Sequence, residues 1–529
     1  MNDVGSRSRV LIVGAGPVGL VLACELLARN VDVCVIDKSA KLDNPHSRAT
    51  VLWPRVLELL NRLGVTRNVI ETGHYFDRLG YYSKKKRVGE VRLDRLRGTQ
   101  YPYAIAIPQS RTEQILAARL AELGGSVRLG CELVAGSQTE HGVECVLSDD
   151  SSEPQSEVFD WVIGADGASS TVRRLFDFTF DGQTLPTRLA ITDAELVGEV
   201  TKNEAAYFLT KRGNMALGPL GGDVFRVAAS VPTWYTGGDR PDRSFFERLL
   251  AERVPGVKEV GSMSFSAIFV AHVRTAERFR KGRVLLAGDA AHVMSPAGAQ
   301  GMNTGIQDAM NLGWKLAGVA NGLHDARILD TYDTERRSAA HRVAKSTTQL
   351  ARVGLYTENW KMAARDCVMR VGSATRLFDR VVAPQLAQLD TAYGKTPQAK
   401  GLHVGQRLPL GWTDTDASPV LPIDSFTVLL WPGAEFRQSD WNPRVEAMTK
   451  ALAGVEVRVT DLAGRPVGTL YGQLGSHPRA FVVRPDGHLA ATVDLADRGV
   501  ADCAATLAET FGIATFRTHP HGVKAIGAR

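Results

Sequence analysis

Cysteine is scarce. Six residues, Cys24, Cys34, Cys131, Cys145, Cys367 and Cys503, are scattered over 529 positions with no C-x-x-C among them. That spacing excludes a disulfide framework, a cysteine-based zinc site and a redox pair, and it fits free thiols in a reducing compartment. An excess of one charge is lacking too: 63 Lys and Arg stand against 57 Asp and Glu, for a net +6. The one dense basic run, "KKKR" at Lys84 to Arg87, reads as a solvated turn between strands, so nucleic acid is not an expected partner. An unbroken apolar span is also missing. The nearest approach, "RVLIVGAGPVGLVLACELLA" from Arg9 to Ala28, is interrupted by Gly14, Gly16, Pro17 and Gly19 and charged at Glu25. It therefore reads as a buried strand, a tight turn and a helix, not a signal peptide or a membrane span, and the expected location is cytoplasmic. No metal-ligand spacing and no nucleophile pattern is visible.

What remains is an ordinary globular composition, 44% hydrophobic and 23% charged with 51 Gly and 23 Pro, too long for one core, so two or three domains are expected. Three motifs organise the first part. In "VLIVGAGPVG" a β-branched run leads into Gly14-x-Gly16-x-x-Gly19 and a helical pattern. There Gly14 turns the chain, Gly16 admits a pyrophosphate to the backbone, and Gly19 lets the helix pack on the strand. The next strand ends at Asp37, 23 residues after Gly14, where a carboxylate is needed for a ribose hydroxyl. "DWVIGADGASSTVRRLF" is a second strand, ending at Asp166-Gly167, with a helix carrying Arg173 and Arg174. "GRVLLAGDAAHVMSPAGAQGMNTGIQDAM" is a third, ending at Gly288-Asp289 and running through Pro296, Gly298 and Gly301 into a helix starting near Met302. Backbone N–H groups at such a start receive an anion or an electron-rich ring edge. Three such loops belong on the carboxyl edge of one parallel sheet, where one extended ligand reaches them all.

These motifs resemble those of the FAD-dependent aromatic hydroxylases, single-component flavoprotein monooxygenases such as para-hydroxybenzoate hydroxylase, phenol hydroxylase and the aromatic polyketide hydroxylases. The likeness spans about the first 340 residues. It implies an α/β fold: a Rossmann-like FAD-binding domain, an inserted antiparallel-sheet substrate domain and a C-terminal thioredoxin-like domain. By that resemblance Gly14, Gly16, Pro17 and Gly19 hold the FAD pyrophosphate, and Asp37, where the family usually has glutamate, the adenosine ribose beside Lys38. Arg48 lies near the pyrophosphate, Gln109 contacts the flavin, and Asp166 and Gly167 serve FAD together with the reductant NAD(P)H. Gly288 and Asp289 reach the ribityl chain, and Pro296, Gly298, Gly301, Met302 and Asn303 run under the isoalloxazine, with Ala299 where a glycine is common. The implied reaction oxygenates a phenolic or polycyclic polyketide-like substrate with dioxygen through a flavin C4a-hydroperoxide, the cofactor carrying the difficult chemistry. His292 reads as a strand-end histidine bonded to backbone rather than a general base, and no catalytic side chain is identifiable.

Between residues 179 and 276 the pattern changes to short alternating runs with Gly turns, expected of an antiparallel sheet that roofs the substrate with help from residues 75–100. Tyr81, Tyr82, Phe208, Met215, Phe225 and Phe269 are the aromatic and soft candidates for its inner face, although a strand aromatic more often sits in a core. The FAD-binding domain then takes residues 1–178 and 277–390. Residues 391–529 resemble the thioredoxin-like domain, without its cysteine pair and with Ala490-Ala491 in place of an aromatic and an arginine, which implies a structural role or oligomer contacts. A monomer or homodimer is expected. Rival readings are a Baeyer–Villiger or antibiotic-inactivating flavin monooxygenase and a non-catalytic flavoprotein scaffold. A halogenase is disfavoured by the absence of W-x-W-x-I-P.

Overall fold

The apolar run Val10–Val13 is buried on both faces, which suits the middle of a parallel sheet. In the computed structural model, the strand Arg9–Val13 pairs in parallel with Asp32–Asp37 on one side and Trp161–Gly164 on the other. Val284–Leu286 lies beyond Trp161–Gly164 and Val127–Leu129 beyond Asp32–Asp37, both parallel, and the short Arg280–Lys281 closes one edge antiparallel. The three motif strands are thus immediate neighbours with their carboxyl ends on one edge. The structure describes residues 8–42, 49–149, 152–394, 401–410, 425–453, 457–464, 467, 470–496, 498–503 and 505. Arg48 lies outside them. No helix among these residues is long and apolar enough to cross a membrane.

The helix Pro17–Leu27 packs against the long helix Gly301–Ala320 and has almost no exposed face. Its near-continuous apolar sequence reflects that position. A three-stranded meander, Cys131–Gln138, Val143–Asp149 and Ser152–Phe159, flanks this body.

The second large sheet has eight strands, from His292–Val293 through Val257–Ala276, Phe180–Gly198, Val224–Ser230, Gly213–Gly221 and Glu204–Thr210 to the hairpin Arg78–Ser83 and Lys86–Arg92. The expectation of a wholly antiparallel sheet is corrected at one seam: Glu204–Thr210 runs parallel to Arg78–Ser83. These neighbours are not joined by a hairpin, so nothing in their connection forces opposite directions. Lys84 and Lys85 form the hairpin's turn, both with positive φ.

Downstream, Phe426–Trp431 pairs in parallel with Val457–Asp461 and antiparallel with Arg479–Val483, which pairs with Leu489–Asp494. The turn between the last two strands, Arg484 to His488, is driven into the helical core. Arg484 bonds Glu335 at 2.7 and 3.0 Å and Asp486 at 3.0 Å. Asn311 donates to Glu335 at 2.7 Å and to Asp486 at 3.1 Å, and Lys315 donates to Glu335 at 2.8 Å. Arg55 reaches the Asp486 carbonyl at 2.6 Å and Glu58 at 3.0 Å, and Glu58 also accepts from Arg407. Buried charges persist only when paired this completely. Burial pushes Lys315 down to about 8 despite Glu335. Burial also opposes ionisation of Glu335, yet Arg484 and Lys315 outweigh it and pull that carboxyl to about 2.

His488 sits in the same turn, 2% exposed and 3.4 Å from Asp486. Burial lowers it from 6.5 to about 4, against the pull of Asp486. A depressed folded value means the unfolded chain binds the proton more tightly, so stability is intact above pH 6.5 and falls as pH drops toward 4. Urea unfolding at pH 7 and pH 5 is expected to show a loss of about 2 kcal/mol attributable to His488, absent in His488→Asn. A wild-type loss no greater than that of the variant would remove this histidine from the account.

Candidate active site

Along the carboxyl edge of the parallel sheet lies a cleft of about 570 Å³. Of the expected residues, Gly14, Gly16, Pro17, Asp37, Lys38, Gln109, Asp166, Gly167, Asp289, Pro296, Gly301 and Met302 line it. Gly19, Gly288, Gly298 and Asn303 are not among the lining residues; each shapes a loop from behind.

The first loop shows why. Gly14 has φ +107°, and a Cβ there would stand 2.4 Å from the Ala165 carbonyl oxygen. A Cβ on Gly19 would stand 1.9 Å from the Gly14 carbonyl oxygen, so no larger residue fits between helix and loop. Gly16 differs: a Cβ there meets nothing within 4 Å. The backbone at Gly16 therefore faces open space in the cleft, where a ligand can approach it. Asp37 does more than any ribose contact would ask of it, because its two oxygens accept from Ala15 N at 2.7 Å and Ser39 N at 2.8 Å and pin the loop to the second strand.

In the second loop Asp166 accepts from Thr171 N at 2.6 Å and Val172 N at 3.1 Å, while its Oδ1 is buried without a protein partner. Burial pushes this carboxyl above its ordinary pKa, against the pull of these bonds. An orphaned carboxylate oxygen at the cleft wall fits a ligand that donates a hydrogen bond. Ser170 caps the short helix Thr171–Leu175 by accepting from Arg173 N. Arg173 then spans two loops, donating to the Ala168 carbonyl at 2.6 Å and the Ala290 carbonyl at 2.9 Å, with its guanidinium 3.9 Å from the Phe180 ring centroid.

The third loop is held from inside. Gly288–Ala290 is a single 3-10 turn that exposes Asp289 to the cleft. Behind it the fully buried Asp308 accepts from Gly288 N at 3.1 Å, His292 Nε2 at 2.6 Å and Arg336 Nε at 2.7 Å. Burial opposes its charge, but His292 and Arg336 prevail and hold it below the usual carboxylate range. The expected backbone partner of His292 is therefore corrected to a carboxylate. Asp308 and Arg336 escaped sequence reading, yet an acid in the middle of "GIQDAMNLGW" was a visible signal.

Beyond Pro296 the chain passes through Gly298 and Ala299, both in the left-handed region, at +78° and +52°. The strain at Ala299 is borne by cross-bonds: Trp53 Nε1 donates to the Gly298 carbonyl at 3.0 Å, and Asn303 Nδ2 to the Ala299 carbonyl at 3.0 Å. Asn303 Oδ1 also accepts from Trp53 N at 2.8 Å. The helix Gly301–Ala320 starts at the cleft without a side-chain cap, as does Pro17–Leu27. Both direct N–H groups and a positive dipole end at the space between.

Among the six candidates for the substrate-facing side, only Phe269 reaches the cleft. Tyr81 stacks on Tyr207 and Tyr82 on Phe208, while Met215 and Phe225 fill the sheet's core. Ala271, His272, Val293 and Met294 complete that end and carry no motif.

A family model described as an FAD binding domain matches residues 7–347. The chain belongs to the FAD-dependent aromatic hydroxylases. Members similar to it include an uncharacterized aromatic compound monooxygenase of Bacillus subtilis, 32% identical over 92% of this chain and 95% of that one. The 6-methylpretetramide 4-monooxygenase of Streptomyces rimosus is 32% identical over 91% of this chain and 90% of its own. Among solved structures, the anhydrotetracycline hydroxylase OxyS of Streptomyces rimosus superposes with a TM-score of 0.73 at 27% identity, over 95% of this chain and 99% of that one. The chain is thus a flavin-dependent monooxygenase, and the cleft's features fit FAD: an open cradle at Gly16, an orphaned oxygen at Asp166 and two uncapped helix starts.

Two glycine variants separate fold from cofactor. Gly16→Val is expected to leave apoprotein stability within about 0.5 kcal/mol of wild type while abolishing flavin retention. Gly19→Ala is expected to cost about 1–3 kcal/mol of stability, because the backbone must shift. Thermal melts with and without FAD, and the flavin-to-protein absorbance ratio, test both. Full flavin occupancy in Gly16→Val would refute the loop's role.

Proposed function

We propose that this protein uses FAD, NAD(P)H and dioxygen to hydroxylate an aromatic small molecule, phenolic or polycyclic and polyketide-like. One observation carries the reading: a single cleft joins two uncapped helix starts to an end walled mainly by Phe269, Ala271, Val293, Met294 and Pro296, with His272 and Ser295 among them. Gly14, Gly16 and Pro17 would hold the pyrophosphate, Asp37 and Lys38 the adenosine, Asp289 the ribityl chain, and Pro296 to Met302 the ring. Bound FAD supplies the activation of dioxygen. The protein's own part is electrostatic and steric. N–H groups of Gly301 and Met302 would stabilise negative charge on a bound flavin, and the apolar side chains at that end would limit water there. The tetracycline-type substrates in the names of two similar proteins support a polycyclic substrate. We further read the eight-stranded sheet, apart from its edge strand His292–Val293, as the substrate roof, within residues 179–276 and 75–100, and the four-stranded sheet as a thioredoxin-like domain within 391–529.

The test is the anaerobic rate at which NADPH bleaches the bound flavin, with and without a panel of phenols and polycyclic quinones. One compound class is expected to accelerate it roughly tenfold to a hundredfold, the size of an ordinary coupling between two sites. The aerobic product should then carry one added oxygen on the ring. Equal rates with every compound, or oxygen inserted beside a ketone, would overturn this assignment.

A further inference from the structure

The basic run Lys84 to Arg87 does not stand alone in the fold. Glu204–Thr210 runs parallel to Arg78–Ser83 with Leu209 level with Ser83, so the turns after these two strands leave the sheet at the same end. Antiparallel neighbours would have sent them to opposite ends. The first turn is Lys84–Lys85 and the second Lys211–Arg212, on strands about 4.8 Å apart. Two helices come to the same place. Asn359–Ala374 follows the first hairpin, with Ser373 Oγ accepting from Glu90 N and Arg365 donating to Ser83 Oγ, both at 3.3 Å. Its first turn begins six residues before Arg365, about 9 Å further on, and so lies beside the lysines. Ile328–Gly354 ends against the second turn, where a Cβ on Gly354 would stand 2.5 Å from Asn214 Nδ2.

Charge at this end is unbalanced. The neighbouring carboxylates are taken, Glu90 and Glu204 by Arg87, Glu252 by Arg212 and Glu358 by Lys361. Lys84, Lys85, Lys86 and Lys211 stay exposed with no carboxylate partner among the described residues. Beside them stand Trp360, 70% exposed, and Leu355, 37% exposed, with the Lys361 ammonium 5.6 Å from the Trp360 ring centroid. We propose that this end docks on an anionic lipid bilayer, with the lysines against headgroup phosphates and Trp360 at the boundary between headgroups and acyl chains. The mixed chemistry selects that partner. An indole gains from a boundary that is apolar on one side and wet on the other, and lysine stems lie along apolar surface while their ammonium groups reach phosphates. An acidic protein or a nucleic acid would use the lysines and leave Trp360 and Leu355 in water. Each unpaired lysine near an anionic surface multiplies affinity about fivefold, so the four make a reversible attachment that salt weakens. None of these side chains lines the cleft, so the docking does not depend on the hydroxylase reading.

Co-sedimentation of the flavin-loaded full chain with large unilamellar vesicles tests this, using phosphatidylcholine alone or in equal parts with phosphatidylglycerol. Binding is expected to the mixed vesicles only, and should fall roughly tenfold or more from low to high salt. Lys84→Gln and Lys85→Gln together should weaken it roughly twentyfold, and Trp360→Ala roughly tenfold. All three side chains are exposed, so flavin absorbance and the thermal melt should stay as in wild type. No binding to the mixed vesicles at low salt would overturn the proposal, as would binding indifferent to the lysine changes. Wild-type binding by Trp360→Ala, with the lysines still required, would overturn it too and assign this end to a soluble polyanion.

Discussion

One buried carboxylate holds the cofactor side of this molecule in place. Asp308 sits on the long helix with no exposed surface, yet three donors converge on it from three directions: the Gly288 amide, His292 and Arg336. Taking a charge out of water is costly unless its bonds are complete, and here completeness requires the Gly288 turn, the following strand and the next helix to be in register at once. The turn that presents Asp289 therefore inherits its position from the core. Arg336 continues the chain of bonds to Tyr393 at 3.1 Å, and Tyr393 packs on His488 with ring centroids 4.3 Å apart. The C-terminal turn is thus continuous with the loop under the cleft.

A second constraint is the use of cross-bonds in place of conformational ease. Ala299 adopts a backbone geometry that glycine takes freely, and its neighbours supply what the side chain opposes. Trp53 and Asn303 clamp the two carbonyls of Gly298 and Ala299 from below. Arg173 ties the second loop to the third in a comparable way. Rigidity at this edge matters because preorganised donors stabilise charge without reorganising as it develops.

The parallel sheet and its three loops were legible in the sequence, since each motif couples an apolar run to a residue the backbone geometry demands, as at Gly14, Gly167 and Gly288. Patterns of that kind are local and leave a signature. The parallel seam between Arg78–Ser83 and Glu204–Thr210 was not legible, because alternation reveals a strand's faces but not its neighbour's direction. The support behind the loops was also hidden. Asp308, Arg336 and Trp53 act through partners in other elements, which no local pattern joins to them, and a pocket wall such as Ala271 and Met294 is assembled from residues that mean nothing singly.

The order of strands has a consequence for how the protein comes into being. Val10, Val162 and Leu285 belong to neighbouring strands although more than a hundred residues separate each from the next. During synthesis the first strand and its glycine loop emerge long before the third loop and its helix exist, and such distant pairings are slow to close. The hairpin at Arg78–Arg92 likewise waits, one edge open, for the strand at Glu204–Thr210. The cleft is not complete until the helix ending at Ala320 has been made. It is therefore among the last features of this region to be completed as the chain is made.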